Sequence, residues 1–216
     1  MMTRQNQTAG HATIAPNHRR ALVIYCHPRQ DSMTAAVRDT VLDRLRAIGA
    51  ELRLRDLYAE GFDPVLGADA HADYGDVPGN RARVADHVAD LLWCDTLILV
   101  YPTWWYGLPA MLKGWMDRVL LPGVAFTLPT VGGGAIRPGL TQIGRLGVFT
   151  TCGASWWLTQ MIGAPGQRTL LRGLRSLCAR RCRHVFAAHY QMDRSTTASR
   201  ARHLARVATR MDRLMR

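Results

Sequence analysis

Lysine is nearly missing from this 216-residue chain: Lys113 stands alone among 28 basic residues, and all the others are arginine. Acidic residues are scarce in one region. Residues 168–216 hold 13 arginines against two aspartates, so almost all of the formal net charge of +12 belongs to that segment. The segment has few aromatics to stack bases and no recognition-helix motif, so no nucleic-acid partner is expected; a solvated outer face accounts for it. Cysteine is sparse too. Five residues (26, 94, 152, 178, 182) at irregular spacing exclude a disulfide scaffold and fit a reducing, cytoplasmic compartment. Cys178 and Cys182 stand four apart on one helical face, but no further Cys/His cluster and no HExxH completes a site, so no metal is expected.

Long apolar helical runs are also lacking. The uncharged stretches 96–112, 119–136 and 146–167 are interrupted by Pro102, Gly107 and Pro109, by Pro122 and Pro129, and by Pro165 among polar residues. None makes an unbroken span of ~20 residues, so no membrane insertion is expected. The start, MMTRQNQTAGHATIAPNHRR, has no apolar h-region. It reads as a polar, disordered leader over residues 1–19, followed by a single domain over 20–216.

What is present is globular: 48% apolar and 20% charged residues exclude wholesale disorder. From Ala21 onward short apolar runs alternate with helical patterns. ALVIYC (21–26), TLILVY (96–101), 146–150 and 185–189 read as strands, and ELRLRDL (51–57) alternates as an edge strand does. Helical spacing marks 33–48, 81–93, 109–120, 167–182 and 196–215, with 58–80 loop-like. On the third of these helices Lys113 and Asp117 are spaced for a surface ion pair. Strands separated by helices form βαβ units, so the fold class is α/β. Five such strands predict a flavodoxin-like doubly wound parallel sheet of order 2-1-3-4-5.

In such a sheet ligands bind beyond the carboxyl ends of the strands. Three segments leave those ends. HPRQDSMT (27–34) lacks the glycines of a dinucleotide fingerprint and the GK[ST] of a triphosphate loop. It offers His27, the hydroxyls of Ser32 and Thr34, and a helix N-terminus able to hold phosphate; Ser32 serves equally as a helix cap. YPTWWYG (101–107) packs four aromatics into six residues right after a buried strand. Exposed, they have no stability rationale, and they fit the wall of a planar-ligand pocket, a subunit interface, or both. TTCGASWW (150–157) adds small residues whose N–H groups can approach a ligand. A neutral aromatic slot beside a phosphate-holding helix start suits a flavin.

YPTWWYGLPAMLKGWMDRVLLPGVAF (101–126) resembles the signature of the flavodoxin-like NAD(P)H:quinone oxidoreductases, and the likeness runs collinearly from Ala21 to about Tyr190. The resemblance implies a homodimer whose sites are completed by both subunits. Each would hold a flavin (FAD, with FMN as the alternative) and take NAD(P)H as co-substrate and a quinone or similar electrophile as acceptor. It implies that His27, Ser32 and Thr34 hold the ribityl and phosphate groups, and that Pro102, Thr103, Trp104, Trp105 and Tyr106 line the isoalloxazine. It places Thr150, Thr151 and Gly153 at the pyrimidine side, with Trp105, Tyr106 and Gly153 at the reacting ring. Two departures stand out. Trp156, Trp157, Ile162 and Gly163 occupy the region where the mammalian enzymes carry a Tyr and a His near flavin N1, and Cys152 replaces a loop glycine. A non-enzymatic alternative is the ancillary, flavin-binding subunit of a potassium-efflux type system.

Overall fold

The computed structural model describes residues 19–129 and 133–216; the leader read over 1–19 lies outside the described residues except for Arg19. Five parallel strands form the sheet: β1 (Arg20–Tyr25), β2 (Glu51–Asp56), β3 (Thr96–Thr103), β6 (Arg145–Cys152) and β7 (Arg183–His189). Their order is β2-β1-β3-β6-β7, with the short antiparallel pair β4 (Phe126–Thr127) and β5 (Arg137–Pro138) set apart. Counting the five sheet strands alone, this is the expected 2-1-3-4-5 order.

Burial explains which strands are central. Ala21–Tyr25 of β1 are fully buried, as are Leu97–Val100 of β3, because continuous apolar runs suit strands covered on both faces. β2 is half exposed along its length, as its alternating charges require of an edge. Period two then divides the side chains between two core layers. Leu22, Ile24, Leu97 and Leu99 pack beneath α3 (Ala85–Trp93) and α4 (Ala110–Val119), together with the fully buried Trp115. Ala21, Val23, Ile98 and Val100 face α1 (Met33–Ala47) and the closing helix α7 (Thr197–Met215), meeting Val37, Val41 and Leu45 on the first and Val207, Met211 and Leu214 on the second. Burial of several such side chains, each worth about 1.5–3 kcal/mol, holds the helices to the sheet. An ion pair from Arg44 to Asp212 at 2.6 Å links the two helices on their outer side.

Helix ends follow their local chemistry. Ser32 caps α1 by accepting the Ala35 N–H at 3.1 Å, and Gly49, at φ +67°, supplies the left-handed stop just beyond it. Thr196 and Ser199 form a capping box on α7. Pro109 precedes α4 as its cap rather than forming its first residue.

Three connections differ from expectation. Within the loop-like 58–80 stretch the chain forms a one-turn helix, α2 (Ala68–Ala72), with no buried residue and hence no apolar period to announce it. Residues 156–161 form α5 (Trp156–Met161), capped by Ser155, which accepts the Leu158 N–H. The helix expected over 167–182 is broken. It runs as α6 (Pro165–Arg168), widens into a π-helical stretch at Thr169–Leu174, and ends before Cys178, which bridges to Leu140. The chain must turn there to deliver Arg183 into β7.

Candidate functional site

The carboxyl ends of β1, β3, β6 and β7 surround a cleft of about 830 Å³. Ten of the side chains expected to gather there line it: His27, Ser32, Thr34, Pro102, Thr103, Trp104, Trp105, Tyr106, Thr151 and Gly153. Thr150 does not. Its hydroxyl turns inward to Thr103 Oγ1 at 2.8 Å and borders a separate cavity of about 20 Å³, which also touches Tyr101 and Tyr190.

Threonines tie the three loops together. Thr34 Oγ1 on α1 stands 3.0 Å from Thr151 Oγ1 on β6, both buried, and the Thr103–Thr150 contact joins β3 to the same strand. Strand-end hydroxyls thus set the spacing of the cleft walls from the floor upward.

At the first loop Ser32 is fully engaged as a cap: besides accepting from Ala35, its hydroxyl donates to the Arg29 carbonyl at 3.0 Å. The Ala36 N–H donates to the Ser32 carbonyl, so the N–H groups of Met33 and Thr34 remain for a ligand. His27 Nδ1 lies 3.0 Å from both the N–H and the carbonyl oxygen of Arg29, so whether it accepts or donates depends on the ring's tautomer. Burial, opposed by the backbone contact with Arg29, lowers the His27 pKa and so favours the neutral ring. Arg29 also lines the cleft, but its guanidinium is paired with Asp31 at 2.8 Å.

The aromatic loop is a tight turn: Gly107 N–H donates to the Trp104 carbonyl at 3.0 Å. Its two central residues, Trp105 and Tyr106, have φ of +49° and +60°. Side chains this bulky rarely adopt left-handed backbone, and such residues gather at functional sites. Trp105 is 95% exposed, so packing against its own chain does not explain the conformation. The start of α6 braces the turn from behind, with Gly166 N–H donating to the Tyr106 carbonyl; a Cβ on Gly166 would stand 3.2 Å from Gly107.

Sequence reasoning missed the fourth wall. Met192 and Asp193, just past β7, line the cleft. The Asp193 carboxylate lies 3.1 Å from where a Cβ on Gly153 would stand, so Gly153 leaves room for it. The Gln191 N–H donates to the Ala154 carbonyl and holds this segment against the β6 loop. Its signal was available, since β7 ends on the same side of the sheet as the other three. Cys152 lines the cleft as well, 4% exposed. Among the described residues no cluster of His, Cys, Asp and Glu could hold a metal, and no helix is long and apolar enough to cross a membrane.

An open doubly wound sheet with an aromatic turn and a capped helix start at the switch in strand order defines a flavodoxin-type architecture. A family model described as flavodoxin-like fold matches residues 19–211, and the chain belongs to that family. Over 108 residues it is 36% identical to the uncharacterized NAD(P)H oxidoreductase YcaK of Escherichia coli (strain K12), a match covering 50% of this chain and 55% of that protein. Over 129 residues it is 31% identical to NAD(P)H dehydrogenase [quinone] 1 of Rattus norvegicus, covering 52% of this chain and 47% of the rat protein. The chain thus spans about half the length of these curated relatives. Among solved structures, Smu.1420 from Streptococcus mutans UA159 superposes with a TM-score of 0.76 at 26% identity, covering 89% of this chain and 98% of that one.

Proposed function

We propose that this protein is a flavin-dependent NAD(P)H oxidoreductase that passes two electrons to a quinone or similar electrophile. The observation that carries this reading is the left-handed pair Trp105–Tyr106, held at the edge of a cleft whose other end is a capped helix N-terminus. The names of the curated relatives support it. The residues present fit a flavin: aromatic side chains for a planar ring, hydroxyls for the ribityl chain, and N–H donors for a phosphate. A cleft of about 830 Å³ falls within the usual span of cofactor sites.

When bound, the flavin supplies hydride chemistry at its N5. The chain supplies everything else. The His27 ring, the Thr34 hydroxyl and the first N–H groups of α1 hold the phosphate end, and Ser32 serves it by capping that helix start. Pro102, Thr103 and Trp104 line the ring, and Trp105 and Tyr106 wall the slot in which nicotinamide and acceptor stack in turn. Thr151 and Gly153 border the pyrimidine side, where backbone N–H groups meet the charge that a Tyr and a His meet in the mammalian enzymes. Thr150 acts at one remove, by positioning Thr103. FAD is assigned first and FMN second.

The slot is completed by a second copy of the chain. Trp105, Trp157 and Met161 are 95%, 76% and 79% exposed, large apolar side chains that a dimer would cover. Five free, buried cysteines suit a cytoplasmic setting.

A visible spectrum of the purified protein, with mass spectrometry of any chromophore released on heating, tests the reading and separates FAD from FMN. Bleaching by NADH or NADPH and reoxidation by a quinone are expected, as is loss of most turnover in Trp105→Ala with the fold retained. A colourless protein that takes up neither flavin would sink the proposal. Tight flavin binding with negligible NAD(P)H oxidation would favour the ancillary-subunit alternative.

A further inference from the structure

A second cleft, of about 450 Å³, opens at the other end of the sheet. Thr141 stands shortly before the first residue of β6, and the 172–180 segment leads into β7. Both therefore lie at the amino ends of parallel strands, whereas the aromatic cleft lies at their carboxyl ends. Eight residues of β6 separate the two, roughly 25 Å at ~3.3 Å per residue.

Its lining is cationic. Arg172, Arg175 and Arg180 surround it with the hydroxyl residues Thr141 and Ser176, over the thiol of Cys178. No carboxylate lines it, and the sequence carries no acidic residue anywhere from Arg118 to Met192. Among the described residues none of the three arginines has a salt-bridge partner in the fold. Like charges gathered in one concavity repel each other, so an anion brought from outside relieves the repulsion.

Arg175 is set in place before any ligand arrives. Its Nε donates to the Leu171 carbonyl at 3.1 Å and its Nη1 to the Cys182 carbonyl at 3.4 Å, and Nη1 also lies 3.3 Å from His184 Nδ1. Burial, and then the charge of Arg175, lower the His184 pKa, so that ring stays a neutral acceptor. A guanidinium fixed in this way loses little rotamer freedom on binding and leaves its Nη2 hydrogens to donate to an oxyanion. The π-helical stretch Thr169–Leu174 carries Arg172 to the rim, and such widened turns recur at functional sites.

We propose that this cleft is a binding site for a small oxyanion-bearing molecule, carrying phosphate or carboxylate groups, distinct from the aromatic cleft. Its concavity and size fit a small molecule rather than the flat face of a membrane or a nucleic acid. The inference is independent of the redox reading, since no residue is shared between the two sites.

Calorimetric titration of the purified full chain with inorganic pyrophosphate, and separately with citrate, tests it. Pyrophosphate is expected to bind, and the Arg172→Gln/Arg180→Gln variant to bind it about tenfold more weakly or worse, as the loss of charge-assisted bonds implies. Arg175→Lys, which keeps the charge but loses the bonds that hold the guanidinium in place, is expected to weaken binding as well. Arg202→Gln/Arg206→Gln on exposed α7 is expected to leave it unchanged. Tighter binding of citrate with the same variant pattern would support the site and assign it to carboxylates. Three results overturn the proposal: no binding of either anion, equal loss in the α7 control, or binding that survives Arg172→Gln/Arg180→Gln and disappears in Ser32→Ala, which would put the anion in the aromatic cleft.

Discussion

Trp105 holds a backbone conformation that no contact within its own chain offsets. Left-handed backbone costs an ordinary side chain on the order of 1–2 kcal/mol, and this ring, 95% exposed, recovers little of that by burial. Asparagine tolerates the conformation better. Trp105→Asn is therefore expected to raise the urea midpoint slightly while abolishing turnover; a variant less stable than the parent would show that the ring is packed after all. The Thr34–Thr151 hydroxyl contact makes the opposite kind of prediction. Thr34→Val or Thr151→Val leaves one buried hydroxyl without its partner, costing about 1–3 kcal/mol, whereas the double variant removes both groups and restores part of the loss. Denaturation of the four proteins measures the coupling, and strict additivity would mean that the hydroxyls do not interact.

At the scale of elements, the junction of β7 and α7 contains a pair of histidines. His189 and His203 meet edge to face, with ring centroids 5.2 Å apart, and His203 is 2% exposed with no hydrogen-bond partner for either nitrogen among the described residues. Burial, with the nearby His189 and Arg206, lowers the His203 pKa to about 4. The folded state therefore resists a proton that the unfolded chain accepts near pH 6.5. Stability is complete above that pH and falls as the pH drops toward 4, by up to about 3 kcal/mol. His203→Phe is expected to flatten the decline in thermal midpoint between pH 6.5 and 4. An unchanged slope would assign it to other groups.

Elements also show how much could be read from the sequence. Strands with continuous apolar runs, such as TLILVY, announce their burial, and helices with a full apolar face, such as α7, announce their extent. One-turn α2 buries nothing and α5 is only six residues long, so neither has a period to detect. Of the site, the aromatic turn was legible by composition alone. The inward turn of Thr150 and the approach of Asp193 were not, because both depend on which strand ends become neighbours. The Lys113–Asp117 pair, a matter of helical spacing only, forms as expected at 2.6 Å.

For the whole molecule, the exposure of Trp105 and of Trp157 and Met161 on α5 leads us to expect a dimer. Trp157→Asp and Met161→Asp are expected to give monomers in sedimentation velocity, with turnover reduced because the slot loses its second wall. A dimer that persists in both variants would place the interface elsewhere.

The cleft draws its walls from His27 at one extreme and Asp193 at the other, across four strand ends. No single element of the chain contains it, so the ligand recognises the assembled fold. By mass action, a ligand at a hundred times its dissociation constant adds about 2.7 kcal/mol to global stability. The cellular lifetime of this protein, set by how often it opens to proteases, should therefore track cofactor supply: starved cells would clear it, and replete cells would retain it.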